Sequence, residues 1–220
     1  MITPINSDET DKPHPLPCDC VMTAAGLSSR MGEWKMMLPY RGGTLLDASL
    51  KNALSACQRV ILVVGHRGDE LLRRYASHEH IEVIENRDYL AGLAGSVQLG
   101  VAACQSEHLF ITHGDLPCLS RPLFEALWRQ RSEQTLLPSY CGEAGHPVLM
   151  PRTLAGELAR AELTGPVRRW LLSHPHRHVE LAWPEILLDV DTPAAYRDLL
   201  AREGRAAAAP EDGKSMNIHL

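Results

Sequence analysis

Short, continuous apolar runs alternate along this chain with segments whose apolar positions recur at helical spacing. Val21-Met22-Thr23-Ala24, Val60-Ile61-Leu62-Val63-Val64, Ile81-Glu82-Val83-Ile84 and His108-Leu109-Phe110-Ile111-Thr112 read as strands. The second run is entirely β-branched or leucine, as in strands buried on both faces of a parallel sheet. Between the runs, Leu45, Leu46, Ser49, Leu50, Ala53 and Leu54 form one helical face behind a capping Thr44. A polar helix follows over Gly68 to Tyr75, and another is predicted over Ser96 to Cys104. Strand–helix alternation at this spacing predicts βαβ units with right-handed crossovers. The expected fold is therefore a three-layer, Rossmann-like α/β/α domain with a mostly parallel central sheet.

The remaining segments are shorter. Met36 to Tyr40 reads as extended, closed by the Arg41-Gly42-Gly43 turn, and Asn86 to Leu93 reads as a loop. A helix is predicted over Pro122 to Gln130. Two strands, Gln134 to Pro138 and His146 to Met150, flank a turn at Cys141 to Gly145. Helices are predicted over Thr153 to Arg160 and Gly165 to Leu172, then extended segments at Val179 to Trp183 and Ile186 to Val190. Thr192 and Pro193 suit the cap and first turn of a helix running to Glu203. Polar, Pro-containing residues 1–17 are expected to be a flexible arm and residues 204–220 a flexible tail, leaving one domain over 18–203.

Composition narrows the class. With 220 residues, 45% of them hydrophobic and 22% charged, the chain can bury a sizeable core. A formal net charge of −5 argues against a general nucleic-acid binder. No segment is long and apolar enough to span a membrane, and the start lacks the pattern of a signal peptide, so the cytoplasm is the expected location. The six cysteines are scattered, and Cys18-x-Cys20 has no second pair at zinc-site spacing, so free thiols are expected.

The chemistry concentrates at predicted strand ends, where ligands of such sheets collect. After the first strand come Ala25-Gly26-Leu27-Ser28-Ser29, then Arg30, Gly32 and Lys35. Small residues admit a ligand close to the backbone, and successive N–H groups in such a turn make an anion site. Arg30 adds a planar fork and Lys35 a point charge, so the stretch suits a polyphosphate; taken alone it also reads as a polar turn with two solvated cations. It is neither a Walker A loop nor a GxGxxG fingerprint. Asp115, in Gly114-Asp115-Leu116-Pro117, ends the fourth strand, where it can bind a hard cation or cap a helix. Asp189 and Asp191 are two apart and fall on one face if Ile186 to Val190 is a strand; such a pair repels unless a cation or donors intervene.

Ala24-Ala25-Gly26-Leu27-Ser28-Ser29-Arg30-Met31-Gly32, followed by Lys35, resembles the opening signature of the nucleotidyltransferases that activate the molybdenum cofactor. The cytidylyltransferase branch is the nearer likeness, because the guanylyltransferase branch usually reads Ala-Gly-Gly where this chain has Ala24-Ala25-Gly26. The resemblance extends to about Leu200 and implies the nucleotide-diphospho-sugar transferase fold. It implies transfer of CMP from CTP to a molybdopterin-type cofactor with loss of pyrophosphate. Arg30, Lys35 and Asp115 match the catalytic positions, and Asp115, Asp189 and Asp191 the metal positions, for Mg²⁺ or Mn²⁺. Thr23, Ala24, Ala25, Gly26, Leu27, Ser28, Ser29, Gly32, Asn86, Gly92 and Ser96 match the nucleotide site, with Asn86 equally able to shape a turn. His146, in a Gly-His-Pro motif, is expected near the acceptor or as a structural histidine at a strand start. Leu163 to Arg169 lacks the acidic residue many relatives carry there. A molybdenum hydroxylase is an implied client. The alternatives are a guanylyltransferase, a sugar-phosphate nucleotidyltransferase, or a nucleotide-binding accessory protein without turnover.

Overall fold

The computed structural model describes residues 14–208. Most of the expected arm and tail therefore lies outside the described residues. The described residues open with strand β1 (Leu16–Ala24), a 3-10 turn (Lys35–Met37), a small hairpin of β2 (Pro39–Tyr40) and β3 (Gly43–Thr44), and helix α1 (Leu45–Ala56). Next come β4 (Cys57–Val64), α2 (Gly68–Tyr75), β5 (Ile81–Glu85), α3 (Leu93–Ala103) and β6 (His108–His113). The second half holds α4 (Arg121–Trp128), β7 (Thr135–Tyr140), β8 (Glu143–Ala144), β9 (Val148–Pro151), α5 (Arg152–Arg160), α6 (Val167–Ser173), β10 (His176–Glu180) and α7 (Pro193–Ala208).

The main sheet has the order β10-β7-β9-β6-β1-β4-β5, with β8 beside β7. β1 runs parallel to β4 and to β6, and β4 parallel to β5, while β9 is antiparallel to both its neighbours. The expected mostly parallel α/β/α architecture is what the chain forms. Alternation along β1 builds both faces of the core. Cys18, Cys20, Met22 and Ala24 pack with residues of α1, α2 and α4; Val21 packs with residues of α3, α5 and α6. The chain places α1 and α2 on one face as it moves out to β5, then crosses on the other face through α3 to β6. This reversal brackets β1, so the carboxyl ends of β1, β4 and β6 surround the crevice where such sheets take ligands.

Local signals explain several elements. Thr44 caps α1 through a reciprocal capping box with Asp47, an arrangement worth about 1 kcal/mol. Thr192 accepts from the N–H of Ala195 and so caps α7. The structure corrects four predictions. Ile186 to Val190 is not a strand: Pro184–Leu187 is a 3-10 turn, and the Val190 N–H goes to the Asp115 carbonyl (3.0 Å) instead of to a sheet neighbour. The predicted strand over Val179 to Trp183 lies earlier, at His176–Glu180, on the sheet edge. Met36 is in a 3-10 turn, not extended, because the Met37 and Leu38 N–H groups close onto Trp34 and Lys35. His146 precedes its strand, which begins only at Val148.

Candidate active site

Sequence-distant carboxylates and cations meet at the carboxyl ends of β1 and β6. Lys35 Nζ lies between Asp115 Oδ2 and Asp191 Oδ1, at 2.5 Å from the latter. Arg30 pairs with the other oxygen of Asp191 and is mostly exposed. Two backbone constraints assemble the cluster. The Gly114 N–H bonds to the Thr23 carbonyl (3.0 Å), and the Asp115 carbonyl receives the Val190 N–H. Gly114 suits this close approach: a Cβ there would lie 2.8 Å from Leu46 Cδ1 and 3.0 Å from Met36 Sδ, so those side-chain ends would have to shift. α1 and the 3-10 turn thus pack directly against the backbone that carries Asp115.

Burial disfavours the Lys35 ammonium, but the charge of Asp115 and hydrogen bonds to Asp115 and Asp191 outweigh it and hold its pKa above the lysine norm. Asp191 is likewise penalised by burial, yet Lys35 and Arg30 hold it below the carboxylate range. Asp189 has no such cation. Burial, then the negative charges of Asp191 and Asp115, raise its pKa. The local balance is short of positive charge, and Asp115 Oδ1 is buried with no hydrogen-bond partner among the described residues. Among the described residues no set of three or more His, Cys, Asp or Glu side chains is arranged to hold a metal alone. Mg²⁺ and Mn²⁺ need fewer, since phosphate oxygens and water complete their shells. An oxygen-only donor set with one orphaned buried oxygen fits such an ion.

Three cavities surround the cluster. A cleft of about 420 Å³ is lined by Thr23, Ala25, Gly26, Lys35, Asp115, Asp189 and Asp191. A hollow of about 290 Å³ is lined by Ala25, Gly26, Leu27, Ser29, Gly92 and Ser96, with Tyr89, Leu90 and Leu93. Leu27, Leu90 and Leu93 are at least half exposed around it, which suits a planar apolar ligand face. A third cavity of about 670 Å³ extends past His146 to Leu163–Arg168 and α6.

Some expected site residues lie elsewhere. Ala24 turns into the apolar core, since alternation puts Thr23 on the other face. Ser28 Oγ accepts the Lys35 N–H (3.2 Å), and Gly32 lines none of these cavities. Asn86 is buried; it donates to Ser96 Oγ (2.9 Å) and accepts the Asp88 N–H (3.0 Å), so its side chain shapes the turn. His146 lines both the cleft and the third cavity. Sequence reasoning missed His113, Tyr89 and Glu143. His113 had a usable signal, because it ends a buried strand two residues before Asp115.

Residues 20–179 match the MobA-like NTP transferase domain. The chain belongs to the MobA-like NTP transferase family. Within this family it is 49% identical over 176 residues to the molybdenum cofactor cytidylyltransferase of Escherichia coli, covering 80% of this chain and 91% of that one. It is 35% identical over 109 residues to nicotine blue oxidoreductase of Paenarthrobacter nicotinovorans, covering 48% and 53%. Among solved structures it resembles Rv0371c of Mycobacterium tuberculosis in complex with manganese. That likeness has 29% identity and a TM-score of 0.66, over 84% of this chain and 99% of that one.

Proposed function

We propose that this MobA-like nucleotidyltransferase moves CMP from CTP to the phosphate of a molybdopterin-type molybdenum cofactor and releases pyrophosphate. An acceptor phosphate oxygen bonds to the α-phosphorus as the α–β anhydride bond breaks, and its electron pair leaves with pyrophosphate. The acceptor oxygen is already ionised, so positioning and charge neutralisation carry the catalysis. One observation above all supports this: Lys35 is held between Asp115 and Asp191 beside the Ala25-Gly26 turn, at the carboxyl ends of the central strands.

When nucleotide enters, Lys35 and Arg30 exchange carboxylate oxygens for those of the triphosphate. Asp115, with Asp189 or Asp191, would hold a divalent cation, Mg²⁺ or Mn²⁺. When bound, that ion neutralises charge on the phosphates. The manganese complex of the mycobacterial neighbour is consistent with such an ion. Thr23, Ala25, Gly26, Leu27, Ser29, Gly92 and Ser96 contact the nucleotide, and Ala25 in place of glycine narrows the small hollow toward a pyrimidine. The strong likeness to a cytidylyltransferase supports the same base. A hydride-transfer reading has less support, because the first loop lacks GxGxxG. The product would pass to a molybdenum hydroxylase in the cytoplasm.

The test is pyrophosphate release from CTP, GTP and ATP with purified molybdenum cofactor and Mg²⁺ or Mn²⁺. CTP should be the preferred donor. Release from GTP alone would make the chain a guanylyltransferase, and no release from any donor would sink the proposal.

A further inference from the structure

The proposed reaction needs two ligands in contact; with the triphosphate in the charged cleft, the adjoining third cavity is the space for the acceptor, and the wall between the two carries its own requirement. The cleft and the third cavity share five lining residues: Leu93, His113, Ala144, Gly145 and His146. Only the two histidines bring polar side chains to that seam. Lys35 and Asp115 line the cleft alone, and Thr164 and Arg168 the third cavity alone. An acceptor phosphate reaching the α-phosphorus therefore passes His113 and His146 and no cationic side chain of the seam.

The two rings are held in place. His113 ends β6 opposite Thr23 of β1, and its Nδ1 is 2.6 Å from Thr23 Oγ1. The His146 ring sits edge-on to it, with centroids 4.4 Å apart at 66°. His146 Nδ1 is 3.4 Å from the Ile111 carbonyl, and the His146 backbone N–H donates to the Ile186 carbonyl (3.0 Å). Gly145 allows this approach, since a Cβ there would lie 2.3 Å from the Ile186 carbonyl oxygen. When the Thr23 hydroxyl donates to His113 Nδ1, the imidazole proton resides on Nε2. Among the described residues none hydrogen-bonds His113 Nε2, and the half-buried ring lines both cavities.

We infer that His113 binds the acceptor's phosphate monoester at the seam, donating from Nε2, with Thr23 fixing its tautomer and His146 packing against its ring. The inference rests on the proposed transfer reaction and adds a residue to it. It assigns the incoming phosphate to an imidazole N–H, leaving Lys35 and Arg30 to the triphosphate.

The test compares wild type with His113→Phe and His113→Gln, in CTP, Mg²⁺ and purified molybdenum cofactor, with pyrophosphate release as the readout. Phe removes the donor; Gln keeps an N–H at nearly the position of Nε2. Phe should raise KM for the acceptor at least about tenfold, as for a lost hydrogen bond to a charged group, with KM for CTP within about twofold. Gln should restore most of the acceptor KM, which a purely structural role would not require. His113→Ala replaces Phe if the ring prevents folding. An unchanged acceptor KM in the Phe or Ala enzyme, or equal rises in both KM values, overturns the assignment while leaving nucleotide transfer intact. Absence of pyrophosphate release in wild type overturns the transfer reaction and this assignment with it.

Discussion

Two buried ion-pair clusters sit at opposite ends of the same strands, and they differ in one respect. At the amino end, Arg59 grips Asp19 with both Nε and Nη2 at 3.0 Å, and also reaches Glu82. Asp19 Oδ2 further accepts the Gln105 and Ser106 N–H groups at 2.7 and 3.1 Å. Both Asp19 oxygens are therefore used, and the group ties β1, β4 and the loop before β6 together. At the carboxyl end, Lys35 spans Asp115 and Asp191, but Asp115 Oδ1 has no partner and the pair opens on a cleft. A saturated buried pair is a structural fastening. An unsaturated one beside a cavity costs desolvation without full compensation, and that deficit is what a bound cation and polyphosphate would relieve.

The comparison predicts opposite consequences for the two aspartates. Asp115→Ala should lower turnover by about 10²–10³-fold, in line with removal of a main electrostatic contact to the transferring group, and shift the unfolding midpoint little. Comparable turnover in that variant, measured as pyrophosphate release per folded molecule, would erase the distinction. Asp19→Ala should do the reverse. Breaking the pair leaves the Gln105 and Ser106 N–H groups without their acceptor and Arg59 with only Glu82 and the Ala103 carbonyl, and should cost about 2–3 kcal/mol in urea unfolding, with CTP affinity unchanged.

Lys35→Met probes the unsaturated cluster without turnover. The ammonium lies where a cation would neutralise Asp115 and Asp191, so its removal should tighten nucleotide-free Mn²⁺ binding by about tenfold in an EPR titration. Adding Asp115→Asn should reverse the gain. If Lys35→Met binds Mn²⁺ no better than wild type, the ammonium is not a counter-ion for that site.

Acid titration sharpens the contrast at the other end. Burial raises the Asp19 pKa, but Arg59 and the two backbone donors prevail and hold it below the ordinary carboxylate value. A depressed folded-state pKa stabilises the protein above the unfolded value, near pH 4, and that stability is lost as pH falls through the folded value. Asp19→Asn should therefore flatten the acid limb of the stability curve measured by urea unfolding from pH 6 to 2. The smallest effect belongs to Arg30, whose side chain is 72% exposed. Arg30→Ala should raise KM for CTP by about 5–10-fold, because it loses a charge-assisted contact to the triphosphate that exposure to water weakens.

Much of this molecule was legible in one dimension. Gly68 to Tyr75 is a helix with those bounds, Val60 to Val64 lies in a central strand, and Thr44 and Thr192 cap the helices they precede. Local backbone preference and side-chain periodicity act over a few residues, so they are written in the chain. The loop's small residues, Arg30, Lys35 and the aspartates are chemically conspicuous wherever they fold. Their family-level meaning was equally plain, since separated motifs agreed in order.

Tertiary structure decided the rest. Ile186 to Val190 carries a strand-like composition, yet strand formation requires a neighbouring edge, and here the Val190 N–H is taken by Asp115. That one hydrogen bond also brings Asp189 and Asp191 to Asp115. Asn86 and Ala24 could have faced a ligand, but packing turned one onto Ser96 and the other into the core. The histidine seam exists only because β6 ends beside β1 while Gly145 lets its loop approach Ile186. Periodicity specifies which residues can share a face, whereas the partner each polar group meets depends on contacts between segments tens of residues apart.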